Sequence, residues 1–193
     1  MQINLSWDLF VIVFFAVIIA YSFIIGRNQT LKIIISSYIA ILASDGVGNL
    51  IEKYLIGSKA LIHSLSIVNS EGSLLIIKII IFVATIVLIT TKGRFAINMT
   101  STGSSLLNFG LMFIYGILSA GLITSTILIY ASGASLVQEG LVLSDAMTAI
   151  YKASPLVRLM INNYNAWFSL PAITFVVSSF IGEGGGHEEH AEH

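Results

Sequence analysis

From Leu9 to Gly26 the chain runs eighteen residues without a charge, and most of them are Val, Ile, Phe and Ala. At about 1.5 Å per residue a helix of that length crosses a hydrocarbon core of roughly 30 Å with little tilt. Three further stretches of comparable length follow, at about 31–52, 74–91 and 106–130. Lipid offers no hydrogen bonds to a backbone, so each such segment has to satisfy its own as a helix. The sequence therefore predicts an all-α integral membrane protein, a four-transmembrane-helix bundle within residues 1–132.

Composition narrows the alternatives. Hydrophobic residues make up 56% of the chain and charged residues only 10%, with a mean hydropathy of +0.93. A soluble domain carries about 25% charged residues, which leaves almost no room for one here. The absence of cysteine excludes disulfides, thiolate metal sites and cysteine nucleophiles. Four of the ten acids, Glu183, Glu188, Glu189 and Glu192, fall in the last eleven residues, so the body holds nine Lys and Arg against six acids, a balance of +3. That is ordinary for membrane flanks and offers nucleic acid no footprint. No basic region precedes the first apolar run, which is expected to be retained as a span and not cleaved as a signal.

The second stretch, LKIIISSYIAILASDGVGNLIEKYL from Leu31 to Leu55, is the least ordinary of the four. As a helix it carries a stripe of small residues, Ser36, Ala40, Ser44 and Gly48, which lets another helix approach closely. The fourth stretch repeats the stripe at Gly116, Ala120 and Thr124, and contact between the two stripes is the natural expectation. Two stripes where one pair satisfies one contact also lead us to expect a homo-oligomer or other membrane-protein partners, beside the lipid bilayer itself.

Beside the small stripe run Asp45, Asn49 and Lys53. Asp45 lies fourteen residues past Leu31, roughly 21 Å along a helix and beyond the bilayer midplane. Position alone suggests that the span closes near Ser44, with these polar groups in the interfacial zone. Lys78, four residues into the third stretch, would then snorkel to the headgroups. The competing reading is an ion or proton path through Asp45, or a charged contact with Lys78 paired to Asp45 or Glu52, because ionisable groups inside a membrane usually mark a function.

Residues 133–181 change character. Ser135 to Lys152 is amphipathic and reads as one helix on the membrane surface or against its own bundle. Ser154-Pro155 breaks and restarts the chain. From Ala166 to Ile181 the apolar stretch is only sixteen residues long, with Pro171 inside it, which predicts an interfacial or re-entrant helix and no fifth crossing. Residues 182–193 read as a flexible tail. Its His187, His190 and His193 do not form a metal-binding H-E-x-x-H motif, because Ala191 stands four residues after His187, so no metal or cofactor is expected.

The turns after the first and third stretches hold Arg27, Lys32, Lys92 and Arg94, and the positive-inside rule assigns them to the cytoplasm. With four crossings, both termini would face away from it. No serine–histidine–acid set, phosphate loop or dinucleotide fingerprint appears in a suitable context, so no enzymatic activity is expected.

The pattern resembles the colicin V production family of small bacterial inner-membrane proteins. The resemblance rests on Asp8 at the start of the first span, Gly26-Arg27 at its end, the Ser36 to Gly48 stripe, Asn108, Gly116 and Ala120 along the fourth span, and Ser154-Pro155-Leu156. Phe109, Met112 and Ser119 depart from it. The resemblance implies a non-enzymatic inner-membrane scaffold or assembly component associated with secretion or envelope homeostasis. The alternatives are a channel or ion-coupled transport subunit using Asp45, or a phage-type permeabilising protein.

Overall fold

The computed structural model describes residues 6–51, 53–54, 71–94, 97, 105–134, 136 and 143–182. Seven α-helices order the described residues: α1 Trp7–Ile25, α2 Arg27–Ile51, α3 Glu71–Lys92, α4 Ser105–Ala131, α5 Asp145–Ala153, α6 Pro155–Asn162 and α7 Tyr164–Gly182. Four of them, α1 to α4, are long and apolar enough to cross a membrane. The expected helical membrane bundle is the architecture found. The tail after 182 and most of the connection between α2 and α3 lie outside the described residues.

Local chemistry sets the boundaries. The Ser6 side chain accepts from the Leu9 amide at 3.2 Å and caps α1. The turn after the first span is a single residue, Gly26, whose φ of +79° suits only glycine comfortably. Its carbonyl receives both the Thr30 amide and the Thr30 hydroxyl, each at 3.0 Å, so α2 starts at once. At the same end the Lys32 ammonium donates to the Gly93 carbonyl at 2.7 Å, and Arg27 donates to Asn108 at 3.3 Å. Lys32 therefore caps the end of α3.

The fourth span, α4, is the most enclosed of the four, with α2 against one side and α1 against another. One apolar cluster joins Leu31, Ile34, Ala40 and Ile41 of α2 with Phe82 of α3 and Tyr115, Leu122 and Tyr130 of α4. A second gathers Val11, Leu128, Met147, Val157, Met160 and Ile161, binding α5 and α6 to the ends of α1 and α4. The outward faces of α1 and α3 remain apolar and exposed, as a lipid-facing surface requires.

The C-terminal elements follow. Of the amphipathic stretch expected over 135–152, residues 135 and 137–142 lie outside the described residues, and α5 begins at Asp145, where Ser144 is extended and its hydroxyl caps the Met147 amide. Ser154 ends α5 and caps α6, accepting from the Val157 amide at 3.1 Å, with Pro155 in the first turn where its missing N–H costs nothing. Asp8 accepts from the Ser154 hydroxyl and from the Leu156 amide at 3.1 Å, which ties the start of α1 to the start of α6. Replacing Ser154 by alanine removes the cap and one of the two bonds to Asp8. We expect it to lower stability by about 1–2 kcal/mol, read from unfolding in detergent.

Helices α6 and α7 then run antiparallel to α4. Ser125 donates to the Met160 carbonyl at 3.4 Å, Trp167 covers Gly121, and the Tyr115 hydroxyl reaches Ser178 and the Thr174 carbonyl. Asn163 kinks the junction, yet its carbonyl still accepts from the Trp167 amide at 3.1 Å. Ahead of Pro171 the Phe168 carbonyl accepts the Tyr38 hydroxyl, which stitches the weakened turn to α2. Leu170, Ile173, Val176 and Val177 face outward. Helix α7 is thus an apolar helix packed lengthwise on α4.

Candidate functional site

Helix α2 does not close at Ser44. It continues to Ile51, so Asp45 lies six residues, or roughly 9 Å, inside its end. Asp45 is 2% exposed and Lys78 of α3 is 8% exposed. Their charged groups meet at 3.4 Å between Lys78 Nζ and Asp45 Oδ1. The snorkelling expected of Lys78 is thereby replaced by an ion pair across two spans.

The glycine of the small stripe makes that pair possible. A Cβ at position 48 would lie 2.4 Å from Lys78 Cε, 2.9 Å from Cγ and 3.2 Å from Cδ. Gly48 is therefore the notch through which the Lys78 stem reaches Asp45. One turn earlier, Ser44 donates to the Tyr130 hydroxyl at 2.7 Å, and Tyr130 donates to the Ile41 carbonyl at 3.2 Å. Phe82 packs edge-on against the Tyr130 ring at 6.0 Å between centroids. The site thus draws on three helices: Ser44, Asp45, Gly48 and Asn49 from α2, Lys78 from α3 and Tyr130 from α4.

The pair is incompletely supported. Neither carboxylate oxygen of Asp45 has a hydrogen-bond donor, and buried Asn49 Oδ1 also has none. A charge-assisted N–H···O bond closes to roughly 2.7–2.9 Å, so 3.4 Å is an attraction between charges without a formed bond. Removing two charges from water costs several kcal/mol per ion, and supporting hydrogen bonds are what usually offset it. Here that support is missing.

Neither a family model, nor a curated protein, nor a solved structure matches this chain. The functional reading therefore rests on the residues themselves.

The other sequence candidates separate. Lys53 is exposed, with its ammonium 5.4 Å from the centre of the Tyr54 ring, and takes no part in the buried site. Ser36, Ala40 and Ser44 are fully buried on α2, and Ala120 and Thr124 on α4. The glycines of the two stripes, however, do not face each other. Gly48 receives Lys78, whereas Gly116 receives α1, its added Cβ meeting Ser22 at 3.4 Å and Ile19 at 3.6 Å. Each stripe glycine instead admits one close approach within the chain, from α3 at Gly48 and from α1 at Gly116. Ser36 and Ser37 return their hydroxyls to carbonyls one turn back, at 2.6 and 2.9 Å, and so bond within α2.

Sequence reasoning missed Tyr130 altogether, because it sits in an apolar run ending at Ser132 and reads as an interfacial aromatic. Its distance from Ser44 in sequence, 86 residues, left no local signal.

Proposed function

We propose that this chain is a multi-pass membrane protein that couples to cation movement through Asp45. One observation carries the reading: a carboxylate buried inside a span, opposed to a single lysine on the next span, with both oxygens lacking donors. A helix contact needs no such arrangement, since well-packed apolar residues of similar volume are often as stable or more so. Intramembrane ionisable groups facing a bundle interior are characteristic of ion and proton pathways. The scaffold reading drew on two unspent small-residue stripes, and both are engaged within the chain at Gly48 and Gly116.

The test is reconstitution into sealed vesicles under an imposed membrane potential, with lumenal sodium and proton dyes read in parallel. Cation entry above that of empty vesicles is expected, and Asp45→Asn reduces it to the empty-vesicle level while the protein accumulates normally. Entry unchanged in Asp45→Asn overturns the proposal. Poor accumulation of that variant, with wild-type entry no greater than in empty vesicles, assigns Asp45 a structural role.

The orientation follows from the basic flanks Arg27, Lys32, Lys92 and Arg94 on the cytoplasmic side. Antiparallel passage of α6 and α7 along α4 supports a fifth crossing, with residue 6 outside and residues after 182 in the cytoplasm. Because the chain has no native cysteine, single replacements report this directly. Ser6→Cys is expected to react with an impermeant thiol reagent in intact cells, and Gly185→Cys only after lysis. Reaction of both in intact cells would restore the four-crossing topology.

A further inference from the structure

The Asp45 cluster holds more lone pairs than donors. Asp45 supplies two carboxylate oxygens and Asn49 an amide oxygen, all buried and without a donor. The Ser44 hydroxyl donates to Tyr130 and the Tyr130 hydroxyl to the Ile41 carbonyl, so neither is bonded to the carboxylate. An ammonium satisfies oxygens only through directed N–H bonds, and Lys78 at 3.4 Å forms none with Asp45. A bare cation accepts lone pairs from any direction, and carboxylate and carbonyl oxygens are the donors that hard cations prefer.

Charge narrows the choice further. The cluster carries one negative charge, and Lys78 neutralises it. A cation taking the place of the ammonium must be monovalent if the buried site is to stay neutral, since an unpaired charge there is strongly unfavourable. Lys78 is able to leave. Its stem passes Gly48, and its position four residues, or roughly 6 Å, inside Leu74 leaves the ammonium within reach of the membrane boundary.

We infer that Asp45, with Asn49 beside it, forms a binding site for an alkali cation, and that the Lys78 ammonium is a tethered competitor occupying it in the state seen here. This rests on the coupling reading above and names its ion class. Lys78 then reports whether the site is filled: cation in, ammonium out toward the boundary, and the reverse on release. Gly48 is a positioning residue for this exchange.

The test measures binding directly, without transport. Purified protein in mild detergent is titrated with NaCl against choline chloride at constant ionic strength, following sodium by calorimetry and stability by thermal unfolding. Wild type is expected to bind sodium weakly. Lys78→Gln, which removes the competing charge and keeps much of the stem, is expected to bind at least about tenfold tighter, a change of about 1.4 kcal/mol. Asp45→Asn is expected to show no sodium dependence. A purely structural ion pair predicts the opposite for Lys78→Gln, which would be destabilised equally in both salts, and that result overturns the inference. Lys78→Met serves as a second variant, and its rescue by NaCl but not by choline chloride supports the site even if it unfolds without salt. Binding without flux in vesicles removes the coupling reading and leaves the site standing. Flux of protons with no sodium binding removes the site and leaves the coupling.

Discussion

Lys78→Met, assayed in choline chloride, is expected to lose about 3–5 kcal/mol of stability. The variant keeps the stem volume beside Gly48 but leaves Asp45, 2% exposed and without hydrogen-bond donors, as an uncompensated buried charge. In the unfolded chain in detergent that carboxylate is hydrated, so nearly the whole desolvation penalty appears on folding. The double replacement Asp45→Leu with Lys78→Met removes both charges and fills similar volume. It is expected to recover most of the loss, because apolar substitutes for a buried pair are often neutral or stabilising. Unfolding by denaturant in micelles measures both. If the double variant is as unstable as the single one, the pair owes little to charge, and the weight shifts to packing at Gly48.

That contrast separates the roles the pair could have. A structural lock would make the doubly apolar protein sound in every respect. A cation site would make it stable and inert. The combination of restored stability with lost cation entry is therefore the signature of the proposed function.

The parts of the molecule legible in the sequence are those where one physical rule dominates. The four spans are readable because apolarity over eighteen or more residues has no competing interpretation, and their observed limits differ from the expected ones by a few residues. The place of Asp45 inside the bundle was not readable by the same rule, because it looks like a boundary residue unless its partner is known. That partner lies on another helix: Lys78 is 33 residues away. Small-residue stripes suffer the same limit. Spacing identifies a face that admits close approach but says nothing of what fills it, and the fillers proved to be a lysine stem at Gly48 and an otherwise unremarked serine turn at Gly116. In the C-terminal segment the start was not readable: α7 begins at Tyr164, two residues before the apolar stretch at Ala166, because it continues α6 through a hydrogen-bonded junction at Asn163.

Gly121 carries the second large prediction. A Cβ there would lie 2.0 Å from Trp167 Cε3, 2.5 Å from Cζ3 and 2.7 Å from Cδ2. These are atoms of a rigid ring, so no small side-chain adjustment relieves the clash. Gly121→Ala is expected to cost about 1–3 kcal/mol, the usual range for overpacking. Gly121→Leu is expected to reach the top of that range or exceed it, because it ejects the indole. The ring then loses its edge contact with Phe15, now 6.0 Å between centroids, and its cover by α4. Because Trp167 is where α7 seats on α4, the remaining links at Tyr115, Ser178 and Tyr38 would have to hold the helix alone. In a Trp7→Phe background, Trp167 is the only indole, and its emission is expected to shift to the red in Gly121→Leu if the ring moves toward the polar boundary. Pairing Gly121→Leu with Trp167→Ala should cost clearly less than the sum of the two, since the alanine vacates the space the leucine needs. Additive costs and an unmoved emission would mean that Trp167 does not seat in the Gly121 notch, and the path of α7 along α4 would fall with it.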